Sequence, residues 1–160
     1  MAFSHPIDDR YFEDYVEGDV HTLGSIAIEA DEIIAFAKRF DPQRFHIDPE
    51  AAKETPFGGL IASGWHTAAL MMRLYVDNYL SHVASLASPG LDELRWPKPV
   101  RPGDRLSVRV TVLKASLSKS KPDRGVVTSF VEVLNQAGEI VMTLKAVNMI
   151  ARRKVVAAAE

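Results

Sequence analysis

No cysteine occurs anywhere in the 160 residues. That removes disulfides, thiolate metal ligands and cysteine nucleophiles together, and makes a reducing cytoplasm the expected compartment. Charge of one sign is also scarce: 19 Lys and Arg against 21 Asp and Glu leave a formal net charge of −2. Such a balance gives no general attraction to nucleic acid or to an anionic membrane. Long hydrophobic runs are missing as well. The longest, around Ala68 to Tyr79, is broken by Arg73 and Asp77 and falls short of the roughly 20 residues a bilayer span needs. The first ten residues have neither the basic start nor the apolar stretch of a secretory signal. Gly58-Gly59 lacks the Lys-Ser/Thr and the strand–helix setting of a phosphate loop. His5, His21 and His82 have no partner at metal-ligand spacing, so no metal is expected. A soluble protein is left, with no nucleic acid and no membrane among its partners.

What is present is an ordinary globular balance, 47% hydrophobic and 25% charged. The length favours one domain over residues 1–160, with a tail from about residue 153 that frays. Val20 to Glu29 reads as a first strand. Asp31 opens a short helix carrying Ile33, Ile34, Phe36 and Ala37, and Pro42 ends it. A loop comes next, then a helical turn from Pro49 to Lys53. Ser63 to Leu80 is the longest helical pattern, with Ser63 as its N-cap. Its apolar residues, among them Trp65, Met71, Met72 and Tyr75, run nearly the whole way round, so the helix is expected to be enclosed by other elements.

Downstream, Leu91 to Trp96 reads as a short strand. Leu106, Val108, Val110 and Val112 alternate with polar residues, and Val126 to Leu134 and Ile140 to Ile150 give two more strands. Asn135-Gln136-Ala137-Gly138 supplies the turn between the last two. A curved antiparallel sheet around one apolar helix is the economical α+β solution.

Acid–base residues concentrate between Phe40 and Pro49. Pro42 and Pro49 stiffen this segment and push it out of helix. A turn between Asp41 and His46 can bring carboxylate and imidazole to one point, a proton-transfer pair near neutral pH. Solvated or capping residues are the plain alternative. His66, in the first turn of the long helix, reads as a packed, hydrogen-bonded histidine. Trp65, Met71 and Met72 read as core. Arg152-Arg153-Lys154 and Lys114, Lys119 and Lys121 read as solvated faces.

Asp41, His46, Asp48-Pro49 and Ala52 together resemble the signature of the MaoC-like dehydratases, or (R)-specific enoyl-CoA hydratases. The likeness continues through Phe57-Gly58-Gly59-Leu60-Ile61-Ala62-Ser63-Gly64 and resumes at Pro99-Val100-Arg101-Pro102-Gly103-Asp104. The resemblance implies a hot-dog fold, a homodimer or dimer of dimers with sites at the subunit interface, and an acyl-CoA or acyl-carrier-protein thioester as partner. It implies water addition across an enoyl double bond or its removal, giving an (R)-3-hydroxyacyl thioester. Asp41 and His46 would be catalytic, with the Gly64 N–H as oxyanion donor and Gln43 and Ser63 in support. No cofactor is implied beyond the coenzyme A of the substrate, whose phosphates one of these basic clusters, or Lys98 or Arg101, could contact, with nothing in the sequence to choose among them. Gln43-Arg44 stands where the family more often has Asn-Pro, which loosens the loop or adds a charge near the pocket. Two other functions fit the same fold. One is thioester hydrolysis, for which the long helix offers only Asp77. The other is non-catalytic thioester binding.

Overall fold

Alternation of apolar and polar side chains builds the three long strands. In β3 (Arg105–Leu117), Leu106, Val108, Val110 and Val112 are buried and their neighbours are not. The same period-two pattern runs through β4 (Arg124–Leu134) and much of β5 (Ile140–Ala151), because successive side chains of a strand point to opposite faces. β1 (Val20–Ala27) and β2 (Gly90–Arg95) complete an antiparallel sheet in the order β1-β3-β4-β5-β2. The structure, a computed structural model, describes residues 2–154. The β4–β5 turn is tied by the Asn135 side chain, which accepts from the N–H groups of Ala137 and Glu139.

Among the described residues four α-helices lie off the strands: α1 (Ala30–Phe40), α2 (Arg44–Ile47), α3 (Pro49–Lys53) and α4 (Gly64–Asn78). Ser63 caps α4 and Asp48 caps α3 through their side chains. α4 lays Met71, Leu74 and Tyr75 into the same core as Val108, Val110, Val127 and Val131. Its C-terminus is closed by the buried Arg10, whose guanidinium donates to the carbonyls of Asn78 and Tyr79, groups that the end of a helix leaves unpaired. Two buried hydroxyls stitch α4 and its C-cap to the sheet: Tyr75 donates to Asn148, and the capping Tyr79 bonds Ser129 at 2.7 Å. Gly125 of β4 has no room for a side chain, because the Phe12 ring occupies the place of its Cβ.

Three expectations change. α4 is not enclosed within one chain: Trp65 is 58% and Met72 43% exposed, and Val76 is also open. A five-stranded sheet curves around one side of a helix and leaves the other bare. Residues 44–47, read as loop, form the turn α2, because Gln43 is extended and its carbonyl accepts from the His46 N–H. Arg153, placed at the start of a loose tail and on a solvated face, instead bonds Asp9 and the buried Asp14, while Arg152 reaches Glu13. Residues 155–160 lie outside the described part. Among the described residues no helix is long and apolar enough to cross a membrane.

Candidate active site

Pro42 lacks the N–H that would continue α1, so the helix stops and leaves Asp41 as its C-cap, in a non-helical conformation with its own N–H on Ala37 O. The Asp41 side chain turns toward the start of α4. Its Oδ2 accepts from Ser63 Oγ at 2.7 Å and its Oδ1 from Gln43 Nε2 at 2.7 Å. His46 sits on α2 with its ring buried, and its Nε2 lies 3.3 Å from Asp41 Oδ2.

The other imidazole nitrogen decides the tautomer. His46 Nδ1 is 2.7 Å from Ile61 O. A carbonyl only accepts, so Nδ1 carries hydrogen, and in the neutral ring Nε2 is a bare lone pair facing the carboxylate. Burial pushes the Asp41 carboxyl up. The hydrogen bonds from Ser63 and Gln43 and the neighbouring His46 outweigh this and hold it below the ordinary carboxylate value. Asp41 therefore stays ionised through the neutral range.

These groups open into a cleft of about 400 Å³ lined by three segments: Asp41 to His46, Phe57 to Thr67, and Trp96 to Val100. Backbone hydrogen bonds hold the segments together, Ile61 N–H to Phe45 O at 3.0 Å and Ala62 N–H to Val100 O at 2.8 Å. Arg101 adds a 2.7 Å bond to Phe57 O. Gly64 stands at the first position of α4, and its N–H has no protein acceptor among the described residues. A free N–H at a helix start, reinforced by the helix dipole, favours negative charge on a bound oxygen. Asp104 is structural. Its carboxylate accepts from Arg101 N–H and Gln136 Nε2 and so shapes the turn into β3.

The cleft thus gathers Asp41, Gln43, His46 and Gly64, with Ser63 behind Asp41. Other residues fall elsewhere. Arg44 is exposed and does not line the cleft. Asp77, the carboxylate that the hydrolysis reading would use, is also outside it and pairs with Arg73 at 2.8 Å. His66 is buried and stacked on Phe36, as packing required. It is not satisfied as expected, because its Nδ1 has no hydrogen-bond partner among the described residues. Trp65 lines the mouth of the cleft rather than the core. Trp96 was missed altogether: its indole stands edge-to-face on Trp65 and its Nε1 donates to Gly64 O at 3.0 Å.

The sequence model described as MaoC like domain matches residues 12–137, a span that contains every cleft residue named above. The chain belongs to the MaoC-like domain family. A MaoC-like dehydratase from Rhodospirillum rubrum is 47% identical, superimposes with a TM-score of 0.85, and is matched over 91% of this chain and 99% of its own. An R-hydratase from Pseudomonas aeruginosa, solved without ligand, is 28% identical with a TM-score of 0.73, over 94% of this chain and 92% of its own. Among curated proteins, 3-hydroxyacyl-thioester dehydratase Z of Mycobacterium tuberculosis is 40% identical over 83 residues, 51% of this chain and 55% of that one. The sheet and helix are those of the hot-dog fold, an α+β arrangement shared with these MaoC-like relatives.

Proposed function

We propose that this MaoC-like chain is a hydratase/dehydratase acting across the α,β double bond of an enoyl thioester. The observation that carries the reading is the approach of His46 Nε2 to within 3.3 Å of Asp41 Oδ2, in one cleft with the Gly64 N–H, which has no acceptor among the described residues. A water between the two side chains donates one hydrogen to Nε2 and the other to Asp41 Oδ2, which turns an oxygen lone pair toward the β-carbon. His46 takes the proton as the C–O bond forms, and the negative charge moves to the thioester oxygen. That oxygen is met by the Gly64 N–H, where a preorganised donor counts most. The proton then returns from His46 to the α-carbon, so one water is consumed in full. Dehydration is the reverse.

No cofactor enters this sequence beyond the coenzyme A of the substrate. The names of the R-hydratase and 3-hydroxyacyl-thioester dehydratase relatives support an (R)-3-hydroxyacyl thioester as the hydrated partner. Lys98 lines the cleft and pairs through its ammonium with Glu139 at 2.9 Å, a cation that a phosphate-bearing carrier could engage by displacing the carboxylate. The bare face of α4 and the outer edge of β2, unpaired among the described residues, favour a homodimer, since an open strand edge is a ready template for a second copy.

The test is absorbance of the enoyl-thioester band with crotonyl-CoA and with longer, branched and carboxylated enoyl-CoAs. The wild type is expected to bleach at least one, and Asp41→Asn and His46→Ala to lose about 100-fold or more. Full turnover by both variants would refute the roles given to them. Release of free thiol from acyl-CoA without hydration would replace this reading with hydrolysis.

A further inference from the structure

Gly64 is in close contact with the ring of Trp96. A Cβ built on the glycine would fall inside the van der Waals radii of Trp96 Cε2, Cδ2 and Nε1. Its backbone is not in the left-handed region, so conformation does not demand glycine there. Trp96 does. The indole occupies the place a Gly64 side chain would take and donates through Nε1 to the carbonyl of that residue, which lines the cleft. One peptide unit on each side of the Gly64 α-carbon is restrained: the preceding one through the Ser63 carbonyl, which accepts from the His66 and Thr67 N–H groups, and the next one by Trp96.

The path that delivers Trp96 is also specific. Between Asp92 and Arg95, β2 holds one residue more than β5, the mark of a bulge, and Glu93 sits there at φ +54°, an uncommon conformation for a residue with a side chain. A bulge bends its strand and re-aims the residues beyond it. Trp96 is the first residue past the end of β2. Its indole packs edge-to-face on Trp65, one position past Gly64, and the pair closes one wall of the cleft.

From this geometry we propose that Trp96 is a positioning residue. It holds the Gly64 carbonyl, and with it the Gly64 α-carbon, so that the N–H on the other side of that carbon points at the reacting carbonyl oxygen, and its ring is the reason position 64 tolerates only glycine. Gly64 and Trp96 therefore act as one unit, although 32 residues separate them. The inference rests on the hydratase reading, because a misaimed donor weakens charge stabilisation in the transition state more than substrate binding.

The test is a double-mutant cycle read in kcat and KM separately, on the full chain, with the best enoyl-CoA. Trp96→Phe keeps a ring and removes the hydrogen bond; it is expected to lower kcat about 10-fold with KM within about 3-fold of wild type and the melting temperature little changed, as for a small misplacement of a catalytic group. Gly64→Ala is expected to lower kcat about 100-fold in the wild type and under about 3-fold when Trp96→Ala is already present, the non-additivity of residues sharing one contact. Equal losses from Gly64→Ala in both backgrounds would overturn the proposal, making Trp96 a plain wall. So would a Trp96→Phe enzyme changed in KM alone. A wild type that hydrates no enoyl thioester sinks the hydratase reading itself, and this proposal with it.

Discussion

Ser63 and Asp41 share a 2.7 Å hydrogen bond that joins the N-cap of α4 to the C-cap of α1. The one hydroxyl donates to the carboxylate and accepts from the Trp65 N–H. Ser63→Ala should therefore act twice. Stability should fall by about 1 kcal/mol, the usual loss with a capping side chain. With a donor gone, the Asp41 carboxyl should rise toward its ordinary value and kcat should fall about 10-fold from loss of orientation. Thermal melts and a pH–rate profile read the two effects apart; an acid limb that does not move to higher pH would contradict the second.

The buried His66 predicts a pH effect with a definite sign. Burial lowers its folded-state value below the ordinary 6.5, so the unfolded chain binds the proton more readily. Stability is then unaffected at higher pH and is lost as pH falls from 6.5 toward the folded value. His66→Phe keeps a ring against Phe36 and cannot titrate. Its melting temperature should fall less steeply than that of the wild type between neutral and mildly acidic pH. Parallel curves would show that His66 does not contribute.

Gly125→Ala should lower stability by about 1–3 kcal/mol, because the added methyl meets the Phe12 ring and overpacking strains a tight site. Combined with Phe12→Ala, the same change should cost much less than in the wild type, since the two share one space. Denaturant unfolding of the four proteins measures this coupling, and additive losses would place the damage elsewhere.

Both tryptophans of the chain line the cleft. Intrinsic emission should therefore respond to thioester binding and saturate, whether or not turnover occurs. Titration of inactive His46→Ala with crotonyl-CoA gives the affinity directly. An emission spectrum indifferent to ligand would move the binding place away from Trp65 and Trp96.

Much of the architecture was legible because its signals are local. Alternation marked Leu106 to Val112, the Asn-to-Gly tetrapeptide marked the β4–β5 turn, and Ser63 marked the start of α4. The motif resemblance directed attention to the residues that the cleft gathers. What escaped depends on three-dimensional meetings. Arg44 to Ile47 is a single turn, too short to show a helical period, between prolines that argued for loop. The apolar circumference of α4 says that its faces want cover, and not that one chain covers only one of them. Arg153 finds Asp14 across 139 positions, and no spacing rule announces that pairing or the meeting of Trp96 with Gly64.

The cleft segments are tied by main-chain atoms at Phe45 O, Ile61 N and O, Ala62 N and Val100 O. Each of these atoms belongs to every amino acid, except that Ile61 and Ala62 must not become proline. The frame holding the imidazole is therefore indifferent to which side chains face the guest. The side chains of Ile61, Ala62 and Val100, which line the cleft, can be exchanged to reshape it while Asp41 and His46 stay in place. Such a division of labour lets the lining of the cleft drift without disturbing the frame that holds the imidazole.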